Sequence, residues 1–178
     1  MENINTPQLK PYLKMKLVRE NAILPTKRVE DGCFDIYGCF EEEALFLYPG
    51  DIKLVPLGFK TEFPHDWIFR IFERGSAGSK GISMRCGVVD SGYRGELFAA
   101  TNNTSNKLII ITNLTQDEIK EKYAKEIENY EDKLTFYPQD KAIAQFALTY
   151  TPHIEVEEIQ ELDMNTERGE GSLGSSGK

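Results

Sequence analysis

Turn signals recur through this chain about every 10–15 residues, and that spacing restricts the fold more than any other feature. Leu24-Pro25-Thr26, Pro49-Gly50-Asp51, Phe63-Pro64-His65-Asp66 and Pro138-Gln139-Asp140 each read as a loop or turn. Short strand-like runs lie between them, at residues 15–18, 32–37, 52–57, 67–72, 108–111, 134–137 and 144–150. Within 67–72, Trp67, Phe69 and Ile71 alternate with Ile68 and Phe72, the period of a strand with two distinct faces. Ala144, Phe146, Leu148 and Tyr150 share one face, with Gln145 on the other, and Ile154-Glu155-Val156-Glu157 continues the alternation. Short strands at such spacing predict an all-β sandwich or barrel of antiparallel strands. At 178 residues and 20.3 kDa the chain suits one domain with a sizeable core.

Three segments depart from that pattern. Residues 1–14, with Pro7 and Pro11, read as an extended N-terminal arm ahead of a β domain over 15–165. Within the domain, 113–137 reads as a helix-bearing insertion. Thr115-Gln116-Asp117-Glu118 matches a capping box, with Leu114 and Ile119 as its hydrophobic staple. Ile119, Tyr123, Ile127 and Tyr130 then form one stripe on a single short helix. The stripe is expected to pack on the parent sheet, the alternative being a partner-binding face. Residues 166–178 hold Leu173 as their one apolar side chain, and by composition alone they are a disordered linker.

A net charge of −8 argues against generic nucleic-acid binding, which needs a concentrated basic surface, but not against a small phosphorylated ligand. No apolar run approaches the ~18 residues of a membrane span, and the N-terminus lacks a secretory layout. Cys33, Cys39 and Cys86 form no C-x-x-C pair, so free thiols and a cytoplasmic location are expected. With only His65 and His153 beside them, no structural zinc site is expected.

Two stretches carry chemistry. Residues 86–97 (Cys-Gly-Val-Val-Asp-Ser-Gly-Tyr-Arg-Gly-Glu-Leu) predict a β-hairpin with arms at Val88-Val89 and residues 97–100. Its tip offers one carboxylate, Asp90, and one phenol, Tyr93. Exposed backbone groups, an acid and an aromatic plate suit a flat polar base; an ordinary hairpin with a solvated turn Asp suits the same residues. Residues 74–81 (Arg-Gly-Ser-Ala-Gly-Ser-Lys-Gly) combine small residues with Arg74 and Lys80, as in a phosphate nest or a flexible surface loop. A helical turn opening at Ser79 is a further expectation there. The spacing is not that of a P-loop.

Taken in order, these stretches resemble the motifs of the trimeric deoxyuridine triphosphatases. Gly32-Cys33-Phe34-Asp35-Ile36 is similar to the first motif, Ala-Gly-Tyr-Asp-Leu, and residues 74–82 to the second. Residues 87–95 match the third, Gly-Val-Ile-Asp-x-x-Tyr-Arg-Gly, almost letter for letter. Ile143-Ala144-Gln145 resembles the end of the fourth, and residues 168–177 the fifth, Arg-Gly-x-Gly-Gly-Phe-Gly-Ser-Thr-Gly. The resemblance implies a jelly-roll-like, distorted β-barrel subunit of the β-clip kind, assembled as a homotrimer with shared active sites. It implies hydrolysis of dUTP to dUMP and pyrophosphate, with Mg2+ held by phosphates and water near Asp35. Asp90 would activate the water, Tyr93 would lie under the deoxyribose, and backbone groups of Gly87 and Phe98 would meet the uracil edge. Arg74, Gly75, Ser76 and Gln145 would face the phosphates. Arg168, Leu173, Gly174, Ser175 and Ser176 would close over the nucleotide from a mobile tail.

The departures are specific. Leu173 replaces the usual Phe, Arg74-Gly75-Ser76 replaces Arg-Ser-Gly, and Asp140-Lys141 displaces the fourth motif, leaving Lys141 as a further candidate cation. The insertion at 113–137 is a feature of phage members, which implies a phage or prophage origin and a bacterial host cytoplasm. Two other readings compete: dCTP deamination on a related fold, and a regulatory protein docking through the 115–131 helix.

Overall fold

The structure, a computed structural model, describes residues 11–85, 87–166 and 169–170. Twelve strands occur among them: β1 (Lys14–Leu17), β2 (Phe34–Ile36), β3 (Ala44–Leu47), β4 (Ile52–Pro56), β5 (Phe59–Glu62), β6 (Trp67–Glu73), β7 (Ile82–Arg85), β8 (Val88–Val89), β9 (Phe98–Asn103), β10 (Leu108–Thr112), β11 (Leu134–Tyr137) and β12 (Ala144–Tyr150). Three short helices accompany them: α1 (Gly75–Gly78), α2 (Gln116–Lys122) and α3 (Ala124–Ile127). The strands form four small sheets without a closed ladder, ordered β1-β5, β3-β10-β11, β2-β12-β6-β8 and β4-β9-β7. This is the all-β class that the turn spacing predicts, and the jelly-roll-like kind that the resemblance implies.

β6 and β12 form the longest ladder, seven pairs from Ala144↔Glu73 to Tyr150↔Trp67. Their alternation sends Phe69, Ile71 and Phe146 inward and Arg70 outward. Phe146 stacks on Phe69 at 3.9 Å and on Phe34 at 5.1 Å, so one aromatic column ties β2, β12 and β6 together. Phe69 and Phe146, both fully buried, each contribute about 1.5–3 kcal/mol by leaving water. β12 ends at Tyr150, and the alternation at 154–157 forms no strand. Thr151 donates the last bond, to the Asp66 carbonyl at 2.7 Å, and Pro152 has no N–H to extend the ladder. Val156 is exposed accordingly.

β3 and β10 are apolar on both faces because both faces are covered. Leu47, Ile109 and Ile111 belong to the main core; Ala44, Leu108 and Ile110 belong to a second cluster with Ile119 and Ile127. The insertion covers that second face. β10 and β11 pair in parallel, and a parallel pair requires a crossover of a dozen or more residues. The capping box is present: Thr115 N–H donates to Glu118 Oε2 at 2.7 Å, and Glu118 N–H to Thr115 Oγ1 at 3.3 Å. The expected single helix is broken, however. Tyr123 leaves helical geometry (φ −127°, ψ 33°) and its ring packs on Phe46 at 5.1 Å. Tyr130 packs on Tyr48 at 5.7 Å, and Ile119 and Ile127 are buried. The stripe is thus committed to the chain's own sheet and is not a free docking face.

Candidate active site

The stretch expected to be one hairpin is divided between two sheets. β9 pairs with β7, not β8, in the pairs Ile82↔Asn103, Ser83↔Asn102, Met84↔Thr101 and Arg85↔Ala100. Continued in that register, Gly87 would face Phe98 and Val88 would face Leu97. Instead β8 pairs with β6, Val89 opposite Phe69 and Val88 opposite Arg70. The two arms part where the third motif begins. Gly87 is where the chain crosses over: its carbonyl accepts from Ile71 N–H at 2.7 Å. A Cβ on Gly87 would stand 2.6 Å from the Ile71 carbonyl oxygen, so only glycine permits that approach.

Between the parted arms lies a cavity of about 230 Å3, lined by Val88, Val89, Asp90, Tyr93, Glu96, Leu97 and Phe98. Tyr93 N–H donates to the Asp90 carbonyl at 3.1 Å, closing a turn that places both side chains at the rim. The Tyr93 hydroxyl donates to the Glu96 carbonyl at 3.0 Å, and its ring covers Gly95, where any Cβ would collide with it. Asp90 is exposed, and its carboxylate takes part in no hydrogen bond or ion pair among the described residues. Its lone pairs are therefore free for a water or ligand. Glu96, which the sequence did not single out, binds Arg19 through Nε and through Nη2, the latter at 3.0 Å. The hydrogen bond from Arg19 holds the Glu96 carboxyl below its ordinary range.

A second cavity, of about 420 Å3, is lined by Arg28, Asp31, Gly32, Cys33, Asp35, Arg74, Gly75, Ser76 and Gln145. Asp35 on β2 stands in register with Gln145 on β12, so first-motif acid and fourth-motif amide are neighbours on one sheet. Arg74 follows β6, the next strand; its Nε donates to Asp35 Oδ1 at 2.8 Å and another guanidinium nitrogen meets Ser76 Oγ. The contact with Asp35 raises the Arg74 pKa and fixes its charge in the cavity. Gln145 Nε2 donates to the Glu73 carbonyl at 2.8 Å. The helical turn is α1, at Gly75–Gly78, while the residues expected to open a turn at Ser79 run into strand β7. Lys141 does not line this cavity; its ammonium sits over Tyr137 at 5.5 Å. Arg28 and Asp31 do, paired to each other, although no motif marks them.

One chain does not unite the two cavities. They share no lining residue. Val89 lies opposite Phe69, and Arg74 is five residues further along the β6 direction. At ~3.3 Å per residue that is roughly 16 Å. Arg168, Leu173, Gly174, Ser175 and Ser176 lie outside the described residues.

No family model matches the chain. It is 32% identical over 170 residues to the deoxyuridine 5'-triphosphate nucleotidohydrolase of Fusobacterium nucleatum, an alignment covering 93% of this chain and 98% of that one. This chain is a member of the deoxyuridine 5'-triphosphate nucleotidohydrolase family. The dUTPase of Staphylococcus bacteriophage 80alpha, solved as a point mutant with dUpNHpp, shares its fold at a TM-score of 0.71 and 21% identity. That match covers 94% of this chain and 99% of the phage chain. A dUTPase mutant from phage phi11 of S. aureus, described with a structural Mg(II) ion, matches at 0.62 and 18% identity, covering 84% and 97%. The chain thus shares the fold of these phage dUTPases over most of its length. No helix among the described residues is long and apolar enough to cross a membrane.

Proposed function

We propose that this dUTPase-family chain hydrolyses dUTP to dUMP and pyrophosphate in active sites built between copies of itself, three to a homotrimer. The observation that carries this is the separation of the two cavities. A cavity with an unpaired acid and an aromatic plate lies at one end of β6, and a cavity with two arginines lies beyond the other. Each is half of what a nucleoside triphosphate needs. A second copy is what brings one chain's acid to another chain's cations. β4 offers a surface for it: Ile52 and Leu54 are 59% and 67% exposed on the sheet that carries Phe98.

In this reading the uracil enters between the parted arms, and backbone groups of Gly87 and Phe98 meet its edge. Cytosine presents a donor where uracil presents an acceptor and leaves a buried backbone group unpaired. The Tyr93 ring lies under the deoxyribose and leaves no space for a 2'-hydroxyl. Asp90 holds the water and takes its proton as oxygen attacks the α-phosphorus and pyrophosphate leaves. Such base assistance is worth ~10²–10⁴-fold. Arg74, Ser76 with Gly75, and Gln145 face the α- and β-phosphates. Arg168, Ser175 and Ser176 close over the γ-phosphate, Leu173 takes the place of the family's uracil-stacking Phe, and Gly174 is a further nucleotide contact on the same tail.

Among the described residues no three His, Cys, Asp or Glu side chains gather as a metal cage. Asp31 and Asp35, the acids of the phosphate cavity, are each paired with an arginine. That donor set suits an ion carried in by the nucleotide, because Mg2+ keeps its waters and binds through phosphates and one or two carboxylates. Asp35 would be the residue to help hold such an ion, which would supply neutralisation of charge on the triphosphate.

Pyrophosphate release measured across dUTP, dTTP, dCTP and UTP tests the proposal: turnover is expected with dUTP and at most trace turnover with the others. Ammonia release from dCTP would instead establish deamination. A regulatory role through the 115–131 helix finds no support in its apolar stripe, which is buried against β3 and β10.

A further inference from the structure

The loop that carries Asp90 and Tyr93 has no ladder between its own two arms, so something else must fix it. Its far end is anchored at Leu97, whose N–H donates to the Phe59 carbonyl at 3.0 Å and whose carbonyl accepts from Leu57 at 2.9 Å. At the tip, Arg94 donates, among the described residues, to the carbonyls of Ser91 and Tyr93, which stiffens the loop without tying it to the body. The remaining tie is Glu96. Its carbonyl holds the Tyr93 hydroxyl at 3.0 Å, and its side chain, 18% exposed, receives two guanidinium nitrogens of Arg19 at the carboxylate. Arg19 lies 77 residues away in sequence and follows Val18, whose N–H is bound to the Gly58 carbonyl at 2.8 Å. A two-point contact fixes orientation as well as distance, which a single ammonium contact cannot do.

We infer that the Arg19–Glu96 pair is a positioning device for sugar selection: it clamps residue 96, residue 96 holds the Tyr93 hydroxyl, and the clamped ring sets how much space remains beneath the sugar. Arg19 is a positioning residue that lines neither the base cavity nor the phosphate cavity. Glu96 lines the base cavity but turns its carboxylate to Arg19. Without the clamp the ring can drop away from the sugar, and a 2'-hydroxyl then fits. This inference rests on the reading of that cavity as the uracil and deoxyribose site.

The test is kcat/KM for dUTP and for UTP on the full-length protein, wild type first, then Arg19→Lys, Arg19→Gln and Glu96→Gln. Wild type is expected to prefer dUTP strongly; if it hydrolyses neither, or both alike, the reading of the cavity fails and the clamp with it. In Arg19→Gln and Glu96→Gln the dUTP/UTP ratio is expected to fall by about tenfold, mainly through better use of UTP and a raised KM for dUTP. Arg19→Lys, which keeps charge but loses the second contact, is expected to fall between. A selective wild type with folded variants of unchanged ratio overturns the inference, whatever happens to their stability. Should Arg19→Gln not fold, an unchanged ratio in Arg19→Lys overturns it equally.

Discussion

Two inactive variants of this protein should rescue each other. Asp90→Asn removes the proposed base and leaves the arginine cavity whole. Arg74→Gln removes the phosphate-facing charge while keeping an amide donor for Asp35, 2.8 Å from the native Nε, so the sheet is not left with an orphaned acid. Each variant alone should lose activity, by ~10²–10⁴ in the case of the base. In one chain the two cavities stand roughly 16 Å apart along β6, at ~3.3 Å per residue, and in the proposed assembly each active site draws them from different copies. In the proposed homotrimer, a head-to-tail ring would close with one copy's acid beside its neighbour's arginine. Any ring that contains both variants, whether two to one or one to two, has one of its three junctions with a native acid beside a native arginine. Activity of the doubly purified rings should therefore recover to about a third of wild type in a ring of this symmetry. The assay is pyrophosphate release from co-expressed variants carrying two different tags and purified through both. Recovery no greater than the two variants measured separately would refute the composite site, since a site within one chain is never intact in either partner.

Three further outcomes follow from the geometry. Thr115→Ala removes the side-chain half of the capping box at α2, and should cost about 1 kcal/mol. At fixed protein concentration that lowers Tm by about 2–4 °C with kcat unchanged, because α2 lines neither cavity. Gly87→Ala places a methyl 2.6 Å from the Ile71 carbonyl oxygen and must push the two segments apart, at a cost of about 1–3 kcal/mol. Thermal melts should show the loss, and KM for dUTP should rise because that segment leads into the base cavity. Glu96→Gln should change how stability depends on pH. The folded Glu96 carboxyl is held below 4.5 by Arg19, so its contribution is present above 4.5 and is lost as pH falls through the folded value. The gap in Tm between wild type and Glu96→Gln should be open at neutral pH and shrink in acid; a gap that widens there would reverse the assignment.

The legible parts of the sequence were those whose signal is local. A capping box is four residues long, a Pro-Gly-Asp turn is three, and both are formed where they were expected. Strand alternation at 67–72 and 144–150 was legible because one face meets the core and the other does not. β3 was not, because Ala44–Leu47 is covered on both sides and shows no alternation at all. The helix stripe was legible, but not its break, since nothing local announces that Tyr123 will leave the helix to pack on Phe46. The site divides in the same way. Asp35, Arg74, Asp90, Tyr93 and Gln145 carry motif signals. Arg19 and Glu96 carry none, because an ion pair across 77 residues exists only once the fold has closed.

The misread hairpin has the most consequence. Two adjacent strand-like arms around an Asp-Ser-Gly turn predict mutual pairing, since that is the most direct way to satisfy their backbone groups. Here β8 pairs with β6 instead, and β9 pairs with β7 and β4. The space between the arms is therefore bounded by backbone edges that would pair in a closed hairpin. A flat base with donors and acceptors on its rim is the kind of ligand that can replace a strand there. A closed hairpin would have satisfied the same residues and had no pocket. The glycine at 87 decides between them: its close approach to Ile71 draws the outgoing arm onto β6 and away from β9, and the opening follows.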